Sequence, residues 1–269
     1  LPDGSDIDYD QVRAQARAHK PSMIIAGFSA FSGTLNWALF RDIADECGAL
    51  LLADIAHVSG LIAAKQYPSP IDHADVITST THKTLRGPRG GIILAKRRPE
   101  LFSKINFGLF PMAQGGPLMH IIAAKALAFK EALQPDFIDY QQQVIRNARA
   151  LAKYLKEKDF KIIGNSIDNH IILIDLTHTQ ITGNDAQQKL EKAGIIVNKN
   201  AIPNDPLPPQ ITSGIRIGTA AVTTQGLKEE DMKTIANWMY SILFDHSTID
   251  SHRADISAWI NQFYIYANI

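Results

Sequence analysis

The sequence has little cysteine, no net charge and no long apolar run. The single cysteine, Cys47, excludes an internal disulfide framework and a cysteine-based zinc cluster, and it favours a reducing compartment such as the cytoplasm. The 27 Lys and Arg residues balance the 27 Asp and Glu residues, so binding to nucleic acid or to a membrane surface through bulk positive charge is not expected. No apolar stretch reaches the roughly 18 residues of a membrane helix. The sequence therefore predicts a soluble protein without nucleic-acid or membrane partners.

The amino terminus lacks an initiator methionine, a basic region and an apolar signal core. We therefore expect either a processed chain or the later part of a longer polypeptide. Apolar residues make up 45% of the chain, which is enough for a sizeable core and too much for a disordered protein. At roughly 100–200 residues per domain, the length corresponds to one large domain or two ordinary ones.

Continuous apolar strands alternate with helical periodicity, which predicts an α/β protein whose mostly parallel sheet has helices on both faces. This pattern fills residues 1–133, and residues 134–269 are predicted to form a smaller α+β domain. The predicted strands are Met23–Gly27, Ala49–Ala53, Asp75–Ser79, Gly91–Ala95, His170–Asp175, Ile195–Val197 and Ser213–Gly218. The predicted helices are Asp8–His19, Trp37–Cys47, Pro117–Leu133, Asp136–Lys158, Asp185–Ala193, Lys228–Phe244 and His252–Tyr264.

Polar segments follow three of the predicted strands, where open α/β sheets bind their ligands. The segment Gly27–Ala30, which contains Ser29, lies at the end of the first strand, Asp54–His57 follows the second, and Thr78–Gly91, which contains Lys83, lies at the end of the third. Taken singly, a carboxylate at a strand end is most often a cap or turn residue, and a threonine-rich loop is usually solvated surface. Together, an acid at a strand end, a hydroxyl-lined loop and a lysine between strands are the parts of a pyridoxal 5'-phosphate site.

Five segments of the chain closely resemble motifs of the serine hydroxymethyltransferase family and occur in the family's order. They are Asp54–Leu61, Thr80–Gly91, Gln114–His120, Val197–Asn200 and Thr212–Thr219. The resemblance implies a pyridoxal phosphate-dependent transferase of the aspartate aminotransferase-like fold type I that lacks the family's N-terminal portion. It further implies a large cofactor-binding domain, of which residues 1–133 are the C-terminal part. The implied reaction belongs to one-carbon metabolism: reversible transfer of the hydroxymethyl carbon of L-serine to tetrahydrofolate, giving glycine and 5,10-methylenetetrahydrofolate.

The resemblance also implies roles for individual residues near the cofactor. Lys83 would bind pyridoxal 5'-phosphate covalently, and Asp54 would pair with the pyridine nitrogen. His57 would lie against the cofactor ring, with Ser29 as a hydrogen-bonding companion, and His82 would contact the phosphate.

Four further positions follow from the same resemblance. Thr80 would relay a proton or position Lys83, and the backbone N–H of Gly116 would reach the phosphate of a neighbouring subunit. Arg216 would bind the substrate carboxylate through its planar guanidinium, which can bond both oxygens. Asn200 would contact the pterin ring, whereas Pro208–Gln210 departs from the family's sequence near the folate. No metal site is predicted.

Two alternatives to this reading remain open at the level of sequence. One is a folate-independent pyridoxal phosphate aldolase of the threonine aldolase type, and the other is a non-catalytic fragment that acts as an assembly module. The expected absence of the N-terminal portion predicts an incomplete site in this chain. A homodimer or homotetramer with sites shared between subunits is expected.

Overall fold

The computed structural model of the chain describes residues 1–96, 98–245, 249–263 and 265. These residues divide into two compact units. The first unit consists of Asp8–Ser29 and Thr34–Gln141, and the second unit consists of the described residues of Leu1–Ile7, Ala30–Gly33 and Gln142–Ile269. The domain boundary between residues 133 and 134 stays a prediction.

The first unit is an α/β arrangement built on a four-stranded sheet. Its strands, in the spatial order β1-β2-β3-β4, are β1 (Met23–Gly27), β2 (Leu50–Asp54), β3 (Val76–Thr80) and β4 (Gly91–Leu94). Its helices are α1 (Tyr9–His19), α2 (Trp37–Cys47), α3 (Ser59–Ala63), α4 (Phe102–Phe107), α5 (Met119–Ala132) and the start of α6 (Pro135–Lys156). The first three strands run parallel and β4 is antiparallel to β3, which confirms the predicted α/β class.

Helix α2 shows how the sequence sets the element boundaries. Asn36 caps its start by accepting the backbone N–H of Leu39 at 3.1 Å, and Gly48 ends it in a left-handed conformation with φ of 70°. Trp37 and Phe40 are both buried on the face that the helical spacing predicts.

A buried carboxylate ties α2 to the sheet. Asp75, directly before β3, accepts hydrogen bonds from the backbone N–H of Leu51 at 2.8 Å, from Arg41 at 2.8 Å and from Arg98 at 3.1 Å. Burial alone would raise the pKa of the Asp75 carboxyl, but these hydrogen bonds and the charge of Arg41 lower it below its usual range. Asp75 therefore joins β2, β3 and α2 through one ionised group.

Parts of the sheet in the first unit have an exposed apolar face. Ile25 in β1 is 71% exposed and Ile93 in β4 is 45% exposed, although both lie in apolar strands. The segment from Phe102 to Leu133 also exposes large apolar side chains.

The second unit contains a four-stranded, fully antiparallel sheet. Its strands, in the spatial order β5-β6-β8-β7, are β5 (Lys161–Ile163), β6 (Ile171–Asp175), β7 (Asn198–Asn200) and β8 (Gly214–Gly218). The rest of α6 and the helices α7 (Gly183–Ala193), α8 (Ala220–Thr224), α9 (Glu229–Phe244) and α10 (Ile249–Ile260) complete this unit. The predicted helix end at Tyr264 lies outside the described residues. Strand β6 is buried along its whole length.

The predicted strand Ile195–Val197 is wrong, because β7 begins only at Asn198. The backbone N–H of Ile195 donates to the carbonyl of Leu190 at 2.8 Å and thereby closes α7. Ile196 is 75% exposed, so its apolar side chain does not mark a core strand. Among the described residues, no helix is long and apolar enough to cross a membrane.

Candidate active site

Asp54 lies at the carboxyl end of β2, between the ends of two parallel neighbours. The strand register pairs Asp54 with Gly27 of β1 and with Thr78 of β3. Its carboxylate accepts hydrogen bonds from the Thr78 hydroxyl and from the backbone N–H of Ala56, each at 3.0 Å. A side chain at Gly27 would meet the Asp54 carbonyl oxygen at 2.5 Å, so glycine allows this close approach. The Asp54 carboxylate is therefore half-buried and held in place by its neighbours.

Lys83 lies in the tight connection between β3 and β4. The backbone N–H of Thr81 donates to the carbonyl of Gly90 at 3.0 Å, and that of Gly87 donates to the carbonyl of Thr81 at 2.7 Å. The Lys83 carbonyl accepts the N–H of Arg86 at 2.9 Å, and the Lys83 side chain is half-buried. These bonds close the connection on itself and fix the backbone of Lys83.

Thr84 joins the Lys83 segment to the loop that follows Asp54. Its buried hydroxyl donates to the carbonyl of His57 at 2.8 Å and accepts the backbone N–H of Gly60 at 3.1 Å. The hydroxyl thus donates one hydrogen bond and accepts another, and both bonds join Thr84 to the loop that follows Asp54. The structure therefore brings the segments containing Lys83, Asp54 and His57 together, as the strand order predicts.

His82 adds a buried nitrogen next to Lys83. Its Nδ1 atom is buried and has no hydrogen-bond partner among the residues that the structure describes. Burial lowers the pKa of His82, and the positive charges of Arg89 and Lys83 lower it further, so the neutral imidazole is favoured. An amine, a fixed carboxylate and an imidazole nitrogen with unused bonding capacity fit the groups of pyridoxal 5'-phosphate.

Three other residues of the first unit, Thr80, Ser29 and Gly116, were predicted to belong to the site. The Thr80 hydroxyl donates to the carbonyl of Ala56 at 3.4 Å, next to the Asp54 loop. Ser29 is exposed beyond the end of β1, and Gly116 lies in the exposed segment before α5. The roles of Thr80, Ser29 and Gly116 remain predictions.

Arg216 and Asn200 belong to the second unit. Arg216 lies in β8 opposite Asn198, and its guanidinium donates to the Asn198 side-chain oxygen at 3.1 Å. Burial lowers the pKa of Arg216, but an arginine side chain stays charged in proteins. Asn200 pairs with Gly214 in the same strand pair, and its amide donates to the carbonyl of Ala201 at 2.7 Å.

Comparison with known proteins places the chain in a family. A family model described as "Serine hydroxymethyltransferase" matches residues 2–239. The chain belongs to the serine hydroxymethyltransferase family. A protein named serine hydroxymethyltransferase from Francisella tularensis subsp. novicida is 56% identical to it over 245 residues, which are 91% of this chain and 59% of the relative. The relative from Francisella philomiragia is also 56% identical, and that from F. tularensis subsp. mediasiatica 55%, over the same shares.

The family is pyridoxal phosphate-dependent, and membership in it does not favour the folate-independent aldolase, one of the two sequence-based alternatives. The mixed first sheet agrees with a fold type I enzyme of this family. The chain nevertheless spans only 59% of the length of the curated relatives it matches. Among the residues that the structure describes, no cluster of three or more His, Cys, Asp or Glu side chains could hold a metal ion.

Three residues to which the sequence analysis assigned no role make contacts around Lys83: Gly60 and Thr84, which lie inside two of the family motifs, and Gln141, which lies in none. Gln141 is fully buried in α6, and its amide nitrogen donates to the Thr84 carbonyl at 2.6 Å. One sequence signal could have found it, because Gln141 lies four residues after Phe137 and three before Val144, on the apolar face of the helix. A glutamine at such a position must find a buried partner.

Proposed function

We propose that the protein containing this chain transfers the hydroxymethyl carbon of L-serine reversibly to tetrahydrofolate, giving glycine and 5,10-methylenetetrahydrofolate. The observation that carries the proposal is the hydroxyl of Thr84, which joins the Lys83 segment to the Asp54–His57 loop in a chain of this family. A surface loop would not need a fully buried threonine whose hydroxyl bonds two backbone groups of another segment.

The residues of the first unit would hold pyridoxal 5'-phosphate. Lys83 would bind it covalently, Asp54 would keep a proton on the pyridine nitrogen, and His82 would contact the phosphate. His57 would lie against the ring, with Ser29 as its hydrogen-bonding companion. When bound, the cofactor supplies an electron-accepting ring for reactions at the substrate α-carbon.

The protein's own groups would bind the substrates and move protons. The amine of Lys83, a half-buried residue in the connection between β3 and β4, would exchange a proton with the substrate amine, and Thr80 would relay a proton or position that amine. Arg216 would bind the amino acid carboxylate with two of its N–H groups. Asn200 would contact the pterin ring of the folate.

We also propose a cytoplasmic homodimer or homotetramer whose sites are shared between subunits. In such an assembly, the backbone N–H of Gly116 would reach the cofactor phosphate of the neighbouring subunit. Light scattering of the purified protein measures its oligomeric state. A monomer at micromolar concentration would contradict the proposed assembly.

The reaction is tested with serine labelled at its hydroxymethyl carbon, in the protein that contains this chain. We expect labelled methylenetetrahydrofolate and glycine to form in equal amounts, and Lys83→Ala to abolish both. Lys96→Ala is the matched control, because Lys96 is an exposed lysine of the same unit that pairs with Asp72. Serine cleavage that tetrahydrofolate does not accelerate, or that survives Lys83→Ala, would overturn the proposal.

A further inference from the structure

We propose that Gln141 is a positioning residue that holds the Lys83 segment from the side of α6. The inference rests on the proposed role of Lys83 as the cofactor lysine. It concerns the hydrogen bond between the Gln141 side chain and the backbone immediately after Lys83. No motif that carries the family resemblance includes Gln141.

Gln141 contacts the residue that follows Lys83. Its amide nitrogen donates to the Thr84 carbonyl at 2.6 Å, across 57 positions of sequence, and its side chain is fully buried. The Thr84 hydroxyl holds the same residue from the other side through Gly60 and His57. Thr84 is therefore fixed at both its side chain and its carbonyl, and the adjacent Lys83 has little freedom to shift.

Two neighbours of Gln141 on α6 hold the next two residues of the same segment. Phe137 packs with Leu85 in a small buried cluster. The ring of Tyr140 lies 4.4 Å from the guanidinium carbon of Arg86, within the range of a cation–π contact. One end of α6 thus contacts three consecutive residues after Lys83, and Gln141 makes the directional contact among them.

The side-chain oxygen of Gln141 differs from the nitrogen that donates to Thr84. Its Oε1 is buried without a hydrogen-bond partner among the described residues, which is unfavourable. An apolar residue of similar size would avoid that cost but could not donate to Thr84. The donated bond is therefore the feature that distinguishes glutamine from methionine or leucine here.

Gln141→Met tests the bond, because methionine keeps the length of the side chain and cannot donate. The protein containing this chain is titrated with pyridoxal 5'-phosphate, reduced with borohydride and mapped for labelled lysines. We expect the apparent dissociation constant for the cofactor to rise about tenfold, which corresponds to about 1.4 kcal/mol. Hydrogen exchange without cofactor should also become faster at the amides of Thr84 and Arg86.

Gln143→Met is the matched control on the same helix. Gln143 is also buried, but it donates to Asn147 and to Glu229, in the second unit. Its loss should lower the urea midpoint while leaving the cofactor dissociation constant within about twofold, as expected for a structural glutamine whose side chain bonds residues of the second unit. If Gln141→Met does not fold, Gln141→Asn withdraws the donor by one methylene and should change both readouts in the same direction.

The outcomes separate this inference from the proposed function. Absence of label on Lys83 in the wild-type protein that contains this chain would contradict the proposed role of Lys83, and the positioning role of Gln141 would fall with it. Label on wild-type Lys83, with unchanged cofactor affinity and exchange in the Gln141 variant, would overturn the positioning role alone. An equal loss of affinity in the Gln143 variant would also overturn it.

Discussion

Replacing Gly60 by alanine is expected to destabilise the first unit and to displace the segment that carries Lys83. Gly60 is buried in α3, and its backbone N–H donates to the Thr84 hydroxyl at 3.1 Å. A methyl group at this position would lie 2.2 Å from the Thr84 carbonyl oxygen and 2.7 Å from the amide nitrogen of Gln141. Backbone atoms cannot rotate out of the way, so the Lys83 segment or α3 must move.

The magnitude follows from two opposing effects. Alanine is favoured over glycine within a helix by about 1 kcal/mol. Overpacking a buried site costs about 1–3 kcal/mol, and separating Thr84 from Gly60 and Gln141 weakens two buried hydrogen bonds worth about 1 kcal/mol each. The steric and hydrogen-bond losses exceed the helical gain, and we expect a net destabilisation of about 2 kcal/mol.

Urea unfolding of the two proteins, followed by circular dichroism, measures the difference. Gly108→Ala is the matched control, because Gly108 has helical dihedral angles and a methyl group there would meet nothing within 4 Å. That variant should be unchanged or about 0.4–1 kcal/mol more stable. A Gly60→Ala protein as stable as the wild type would refute the close packing between α3 and Thr84.

Substitutions at three further positions test other parts of the structure. Asp75→Asn should cost about 3 kcal/mol at neutral pH, near the lower end for a broken buried pair because Arg41 keeps a second partner in Asp45. Since the folded pKa of Asp75 is lowered, this contribution is complete above pH about 4 and is lost as the pH falls through the folded pKa, so acid urea titrations of both proteins should converge. Asp54→Asn should slow tetrahydrofolate-dependent serine cleavage by roughly a hundredfold to a thousandfold, and near-normal rates would make the carboxylate purely structural. Arg216→Ala should still bind the cofactor but weaken glycine binding roughly thirtyfold or more, with partial recovery in Arg216→Lys; an unchanged glycine dissociation constant would remove Arg216 from the substrate site.

Local patterns in the sequence predict most of the secondary structure. Strand β1 coincides with its prediction, and β2 and β3 are displaced by one residue, because apolar runs of about five residues have the length of a buried strand and are too short for a helix. The same patterns do not reveal which apolar side chains are covered by other parts of the protein. Ile25 is apolar and 71% exposed, and Ile196 is apolar and lies outside any strand.

The candidate site is predictable to the extent that it follows strand ends. The segments after β2 and β3 meet because parallel neighbours end at one edge, so proximity of the Asp54 and Lys83 segments follows from the strand order. The contact between Gln141 and Thr84 does not follow from any local rule, because it joins a helix and a loop 57 positions apart. The roles predicted for Arg216 and Asn200 rest on the resemblance to family motifs and not on the spacing of residues in the sequence.

Identification of the lysine that binds pyridoxal 5'-phosphate tests the account most directly. The protein containing this chain is loaded with cofactor, reduced with borohydride and digested, and the labelled peptide is sequenced by mass spectrometry. The account predicts label on Lys83, in the peptide that also contains His82 and Thr84. Label on Lys20, Lys65 or Lys96 instead, or no labelled lysine at all, would contradict it.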